Sequence, residues 1–452
     1  MKHRIRMAWL GSCSVAFVLS ASAQEAVDGI TFDFGGDIRA RYEFVDNFPD
    51  KGQATAGSAY SDYLRFRTRI WTRMEAGENF STTLRLGNEF RAFRNTSNNS
   101  KQKFPDELFI DNLFVEWQDD TFGLKLGRQD IEKGAGRIIA DGTPGDGSRS
   151  TFFDAAVLTW KFGEKSNVDF IGTWSHYRNE LSVGHSHGNV YDMTKIRSGT
   201  PYSKMDEYGL MAYAEIRETE DLPFDVYWVW KGEESYRSTC GHYPSRNFHT
   251  VGMRVVPQIT HWLAAEAEAA YQFGRVDSGF GFSSRNISAG MLYGGLSATG
   301  KDVDWTPSLT LATLYLSGDK DSYYQTYNGT TDSGWNPVFN RTTWFSEISS
   351  GMYDQYRWSN LIYPHVEASV EPVKNHKFSV QLGPMYAAAK DNGATGRRRG
   401  FFTQGKYAFP LPEIAGVKFG GTVVGELLDY GSYYDAEKSV ATFVRLQLTA
   451  KF

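Results

Sequence analysis

Between Tyr63 and Met74 the chain alternates without a break. Arg65, Arg67, Arg69, Trp71 and Arg73 take the odd positions, and Leu64, Phe66, Thr68, Ile70, Thr72 and Met74 the even ones. Successive side chains of a strand point to opposite faces, so this stretch is a ribbon with guanidinium groups on one face and lipid-compatible groups on the other. Wound into a helix, the same residues would scatter arginines around the axis and leave no apolar stripe. A soluble sheet could also turn such a face to water. The stronger constraint is that the same two-faced pattern recurs from one end of the chain to the other.

Ribbons of this kind are expected at 30–45, 63–74, 80–91, 108–118, 121–129, 152–162, 167–178, 207–217 and 223–231. Further ones are expected at 248–256, 262–273, 286–298, 306–316, 360–371, 377–386, 400–409, 417–428 and 439–452. These are about 18 segments of roughly ten residues, the length with which a tilted strand crosses a bilayer. After the N-terminal leader no apolar run approaches the ~20 residues of a membrane helix. The mean hydropathy of −0.45 is compatible with a membrane barrel, because half of each strand faces water. Connections alternate between short (75–79, 119–120, 163–166, 218–222, 257–260, 372–375) and long (46–61, 95–106, 130–151, 179–206, 232–247, 317–359). Short turns belong on the periplasmic side of an outer-membrane barrel and long loops outside, which puts both termini in the periplasm.

The two ends agree with this. Val444, Leu446, Leu448, Ala450 and Phe452 alternate with Arg445, Gln447, Thr449 and Lys451, and the last residue is aromatic. Such an ending resembles the signal that barrel-assembly machinery reads. The last strand must also pair with the first, because only closure leaves no unsatisfied edge in lipid. At the other end, Lys2, Arg4 and Arg6 precede the apolar stretch Met7 to Leu19 and the small residues Ala21-Ser-Ala23, the form of a secretory signal. The expected division is a signal peptide over 1–23 and a transmembrane, antiparallel, up-and-down all-β barrel over 24–452. Leu10-Gly-Ser-Cys13 has the look of a lipidation box, but the apolar run continues past Cys13. Cleavage leaves Cys240 alone, which excludes an internal disulfide and a cysteine metal site and makes it a spectator thiol. A net charge of −5 gives no support to a nucleic-acid partner.

With apolar faces turned to lipid, the inward faces define the candidate site. One side of the lumen receives Arg39, Arg41, Arg65, Arg67, Arg69, Arg73, Arg85, Arg91, Lys125 and Arg445. The other receives Glu215, Glu266, Glu268, Glu367 and Glu426, with Arg217 and Arg254 among them. Charges set across a polar interior are what a water-filled pore needs. Guanidinium keeps its charge at any relevant pH and pairs bidentately with carboxylates, so the arginine face can attract anions. The same groups could instead brace the wall through Asp33, Asp37, Glu43 and Glu89. Tyr323, Tyr324, Tyr327, Trp335, Phe339, Trp344 and Phe345 crowd the longest loop, where they could stack on sugar rings or pack the loop itself. His185-Ser-His187 lacks further ligands for a metal. Ser175/His176 and Ser359/His365 have no spacing that enforces a hydrolase, there is no Gly-x-Ser-x-Gly elbow and no phosphate-binding glycine loop, and no cofactor is implied.

Six short patches, in order, carry a family resemblance: Leu64-Arg-Phe-Arg-Thr-Arg69, Leu126-Gly-Arg-Gln129, Phe153-Asp-Ala-Ala156, Tyr208-Gly-Leu-Met-Ala212, Tyr315-Leu-Ser-Gly-Asp319 and Trp335-Asn-Pro-Val-Phe339. Over nearly the whole mature chain the sequence resembles the alginate export family of outer-membrane proteins. The resemblance implies an 18-stranded monomeric barrel whose arginine-rich constriction passes a polyuronate. After Phe339 the long loop departs from the family's Pro/His/Tyr-containing continuation. The expectation is a passive outer-membrane channel for acidic polysaccharide or oligosaccharide. The alternatives are a general or sugar-uptake porin, a rim-sited hydrolase and a purely structural barrel. A fold does not by itself fix the substrate.

Overall fold

A computed structural model describes residues 29–452 apart from 49–58, 97–106, 141–151, 177–181, 188–189, 192–204, 239–240, 280–282, 321–329, 341–343, 349–357, 391–393 and 435–439. Cys240, Tyr323, Tyr324, Tyr327 and the signal segment lie outside the described residues, as do the side chains of His185 and His187.

Eighteen long strands follow one another. They begin with β1 (Ile30–Phe48), β2 (Ala59–Ala76), β3 (Phe80–Thr96), β4 (Glu107–Gln118), β5 (Phe122–Gln129) and β6 (Phe153–Phe162). Next come β7 (Ser166–Ser175), β8 (Glu207–Ile216), β9 (Phe224–Glu233), β10 (Arg246–Val255), β11 (Leu263–Val276) and β12 (Arg285–Thr299). The last are β13 (Ser308–Leu316), β14 (Leu361–Val373), β15 (His376–Tyr386), β16 (Arg398–Ile414), β17 (Val417–Tyr430) and β18 (Val440–Lys451). Each pairs antiparallel with the next, and β18 pairs antiparallel with β1 from Asp37↔Lys451 to Asp46↔Thr442. The sheet is therefore closed, which satisfies every ladder hydrogen bond within the wall. No helix among the described residues is long and apolar enough to cross a membrane; the chain crosses with strands.

Alternation sorts the faces as the sequence implies. On β1, Phe34 and Ile38 are about half exposed while Asp37, Arg39, Arg41 and Glu43 are buried. Leu113, Val115, Leu126, Leu158, Phe170, Leu292, Leu311, Leu446 and Leu448 likewise stand on the outer surface, where lipid replaces water and exposure costs nothing. Aromatic side chains gather at its two borders. Phe80, Trp117, Phe122 and Trp160 lie near the short turns, and Trp174, Tyr271 and Phe273 lie toward the long loops, as interfacial girdles do.

The short turns are held by carboxylates. Asp119 accepts the backbone N–H groups of Phe122 and Thr121 at 2.6 and 2.7 Å. Those two bonds hold its pKa below the usual carboxylate range. Glu218 is held low by the Ser166 hydroxyl and then by the backbone N–H groups of Lys165 and Glu164. Strand polarity puts these turns at the end of the barrel where β1 begins and β18 ends. Epitope tags placed in 49–58, 192–204 or 321–329 are expected to be labelled on intact cells, and tags in 75–79 or 374–375 only after permeabilisation. Labelling of the second set on intact cells would reverse the orientation.

The barrel carries a core inside its lumen. Toward the long-loop end, inward residues of β8 to β17, among them Met211, Val229, Phe248, Met291, Leu314, Tyr363, Phe402 and Leu428, are apolar and buried. Two loop segments cover them. One is 131–140, with Ile138 and Ile139, and the other comprises 331–340 and 344–348, with Trp335, Val338, Phe339 and Ile348. The segments join through a short parallel bridge that pairs Phe339 with Ile139 and Asn340 with Ala140.

Candidate functional site

On the wall formed by β1 to β5 and β18, the arginines expected in the lumen point inward. Arg39 lies opposite Arg67 in the register, Arg41 opposite Arg65, and Arg65 opposite Arg91. Like charges so close need counter-charge, and a few carboxylates supply it. Asp37 accepts from Arg67 at 2.8 Å and from Arg69 at 2.7 Å. Glu43 meets Arg445 at 2.6 Å, Arg65 at 3.6 Å and Arg41 at 3.7 Å. Glu89 meets Arg65 at 2.9 Å and Arg91 at 3.6 Å. Arg41 also donates to Gln447 on β18 at 2.5 Å, and Arg73, half-buried near the turns, meets Glu75 and Glu116. The Lys125 ammonium stands 4.0 Å from the centroid of the Phe114 ring.

Two carboxylates of this wall were not evident from alternation. The β3–β4 register slips between Arg85 and Leu86, and this bulge turns Asp111 inward. Asp111 is fully buried and meets Arg85 at 2.5 Å and Arg69 at 3.9 Å. Asp130, just past β5, meets Arg85 at 2.7 Å. Arg128, whose position in the alternation gave no inward role, is buried and pairs with Asp154 at 2.8 Å.

The opposite wall is acidic in its turn-proximal half. Glu215 on β8 and Glu266 and Glu268 on β11 stand there as expected, together with Asp169 on β7 and Asp225 on β9. Arg254 stands among these acids, on the side expected of it from the sequence. It donates to Glu266 at 2.8 Å and meets Asp225 at 3.3 Å, because β10 lies between the strands that bear them. Arg217 meets Asp225 at 2.5 Å. Glu367 is exposed, opposite Thr310 and Gln381 in the register. Glu426 is not an open counter-charge. It is buried under the long loop, where it accepts from the Ser346 hydroxyl and the backbone N–H groups of Glu347 and Ile348 at 2.9–3.1 Å, and from Gln404 at 2.8 Å.

The described parts of the longest connection, 331–340 and 344–348, expected outside, therefore fold back across the lumen. At one side Asn336 exchanges hydrogen bonds with Gln272 and donates to Glu233, while Lys231 donates to the Val338 carbonyl at 2.6 Å. At the other side Glu347 meets Arg445 at 2.6 Å. The loop aromatics among the described residues pack rather than present open faces. Trp335 and Phe339 are buried, Phe345 stacks on Tyr363 at 4.9 Å, and Trp344 meets Trp358 edge-on at 5.4 Å. His365 also stacks on Tyr363, at 4.5 Å, and its Nδ1 lies 3.1 Å from the Tyr363 carbonyl oxygen.

The described part of the connection after β5, 130–140, behaves in the same way. Lys133 pairs with Asp169 and, at 2.8 Å, with Glu215. Arg137 reaches Glu266 at 2.6 Å and Glu268 at 2.7 Å, with its guanidinium 3.6 Å from the Tyr293 ring centroid. The sequence signal for these residues was available in Lys133-Gly-Ala-Gly-Arg137, two cations bracketing a glycine turn. Both glycines need their freedom: Gly134 and Gly136 have φ of 58° and 69°. A Cβ on Gly134 would also fall within 2.4 Å of the Tyr213 hydroxyl.

Solved structures with the same fold come from Pseudomonas aeruginosa. OccK11 (OpdR) is 12% identical with a TM-score of 0.55, over 93% of this chain and 96% of that one. OccK8 (OprE) is 11% identical with a TM-score of 0.58, over 93% and 98%. OpdK, solved with vanillate, is 12% identical with a TM-score of 0.56, over 93% and 98%. At such identity the likeness is one of barrel architecture. No curated protein matches the chain by sequence. Residues 31–399 match the family model described as Alginate export.

Proposed function

Because the chain belongs to the alginate export family of outer-membrane barrels, we propose that it is a passive, anion-preferring channel that carries acidic polysaccharide or oligosaccharide along its arginine wall. The observation behind this is the sharing of carboxylates. Asp37, Glu43, Glu89 and Asp111 each answer more than one arginine. Although Arg65, Arg69 and Arg85 each meet two carboxylates in return, the eleven cations named on this wall outnumber the nine carboxylates placed against them, so on this reading the braced wall is net positive. A net positive wall in a water-filled lumen concentrates anions within about a Debye length, ~8 Å at physiological salt. Fold and family are those of channels, and on this reading the protein performs no catalysis and needs no cofactor or metal. The same reading takes residues 1–23 as a cleaved signal, lipid and the assembly machinery as partners, and a monomer as the working unit.

A porin without anion preference is the second reading. It is favoured by the burial of Arg39, Arg41 and Arg67, which limits how much guanidinium surface meets solute. Planar-bilayer recording separates the two. The purified protein is expected to show an anion-directed reversal potential that weakens as salt rises, and block by polyuronate but not by neutral glucan of equal length. An unselective pore that neither polymer blocks would sink the acidic-glycan reading.

A further inference from the structure

We infer that the inward-folded turn Lys133-Gly-Ala-Gly-Arg137 is a charge cover, and that Lys133 and Arg137 set the channel's ion preference by neutralising the acidic wall from inside the lumen. This deepens the reading above and rests on it for the identity of the permeating solute. The acidic wall brings five carboxylates together, Asp169, Glu215, Asp225, Glu266 and Glu268. Among the described residues, its own strands and their ends return two cations to them, Arg217 and Arg254. Tyr213 and Tyr227 add neutral hydrogen bonds, to Asp225 at 3.0 Å and Glu268 at 2.9 Å. Left to itself, this side of the pore would attract cations, opposite a wall that attracts anions. A lumen with one face of each sign admits both and prefers neither.

The two loop cations change that balance. Each is placed between two carboxylates: Lys133 bridges β7 and β8, and Arg137 takes Glu266 and Glu268 two residues apart on β11. They therefore contact four of the five acids, and the fifth, Asp225, already holds both wall arginines. The placement is specific rather than a general attraction. The turn is closed by Gly136 N–H donating to the Lys133 carbonyl at 2.9 Å, and Gly134 sits where any side chain would strike the Tyr213 hydroxyl. The apolar end of the same segment is tied to the long loop by the Ile139–Phe339 bridge. The cover is thus anchored at both its charged and its apolar ends, and solute is confined to the arginine side.

The test uses the full-length barrel in planar bilayers under a potassium chloride gradient. Lys133→Gln/Arg137→Gln is expected to lower the anion-to-cation permeability ratio several-fold, with the reversal potential moving toward cations at low salt and the difference fading near 1 M, where the Debye length is about 3 Å. Adding Glu215→Gln and Glu266→Gln to that variant is expected to restore the wild-type reversal potential, because it removes the charge that the turn had covered. The single variants Lys133→Gln and Arg137→Gln should each give a partial shift, and they carry the test if the double variant yields no folded protein. A folded variant with an unchanged reversal potential would overturn the cover, as would a shift that the added glutamines fail to reverse. The shift is expected even if polyuronate blocks no form of the channel, so loss of the glycan reading and loss of the cover give different results.

Discussion

Deleting Phe452, or replacing it with Asp, is expected to abolish the folded barrel. The seam between β18 and β1 ends on this residue. Its backbone N–H donates to Gly36 at 3.1 Å, and the Gly36 N–H donates back at 2.9 Å. The Phe452 ring lies across the bare Gly36 backbone, where a Cβ would fall 2.6 Å from it. Deletion orphans both Gly36 groups at the border of the hydrocarbon, and each unpaired backbone group there costs several kcal/mol. Asp keeps the backbone but sets a carboxylate on the outer face, the one that also presents Phe34, Ile38 and Leu448. The measurement is the heat-modifiable folded band and its yield in outer-membrane fractions. Normal yield of both variants would argue against Phe452 as either closing contact or assembly signal.

Arg67→Glu/Arg69→Glu is expected to cost stability and to reverse ion preference in the same protein. The two arginines converge on Asp37, so the variant replaces a pair of attractions with three neighbouring carboxylates. Breaking one dry, buried ion pair costs about 3–5 kcal/mol, and water in the lumen reduces this. Asp37→Asn is the complementary change: it leaves Arg67 and Arg69 facing one another and should lower thermal stability without making the pore prefer cations. If the charge reversal lowers stability while the reversal potential and polyuronate block stay as in wild type, the arginines only brace the wall.

The wall was legible in the sequence to within a few residues, because alternation with period two is a local property and lipid enforces it on every strand. Even the ribbons at 286–298 and 400–409, rich in Gly and Ala or interrupted by them, appear as Arg285–Thr299 and Arg398–Ile414. The inward direction of Arg65, Arg67 and Arg69 followed from the same rule. What failed to show was whatever breaks the period or arises from distance. Asp111 enters the lumen only through a bulge, and Asp130 meets Arg85 from just past the end of β5. Lys133 and Arg137 sat in a segment whose glycines read as an external loop. The long loop's aromatics left stacking surface and loop packing equally open, because composition cannot say whether a ring faces solvent. Its docking depends on apolar inward residues of β12 to β16, such as Met291, Leu314 and Phe402. Those positions interrupt an otherwise polar inner face, and that interruption was the available sign that something must cover them.

The spacing of the arginine ladder has a consequence for movement along it. Arg65, Arg67 and Arg69 recur every second residue of β2, a step of about 7 Å along a strand that rises ~3.4 Å per residue. That step is shorter than the ~8 Å over which physiological salt screens a charge. The fields of successive guanidinium groups therefore merge into one trough instead of a row of separate wells. Each group is also held by its shared carboxylates and cannot swing out to follow a departing ligand. A polyanion drawn to this wall would meet little friction from its own attraction, since every acidic group leaving one arginine is already in the grip of the next.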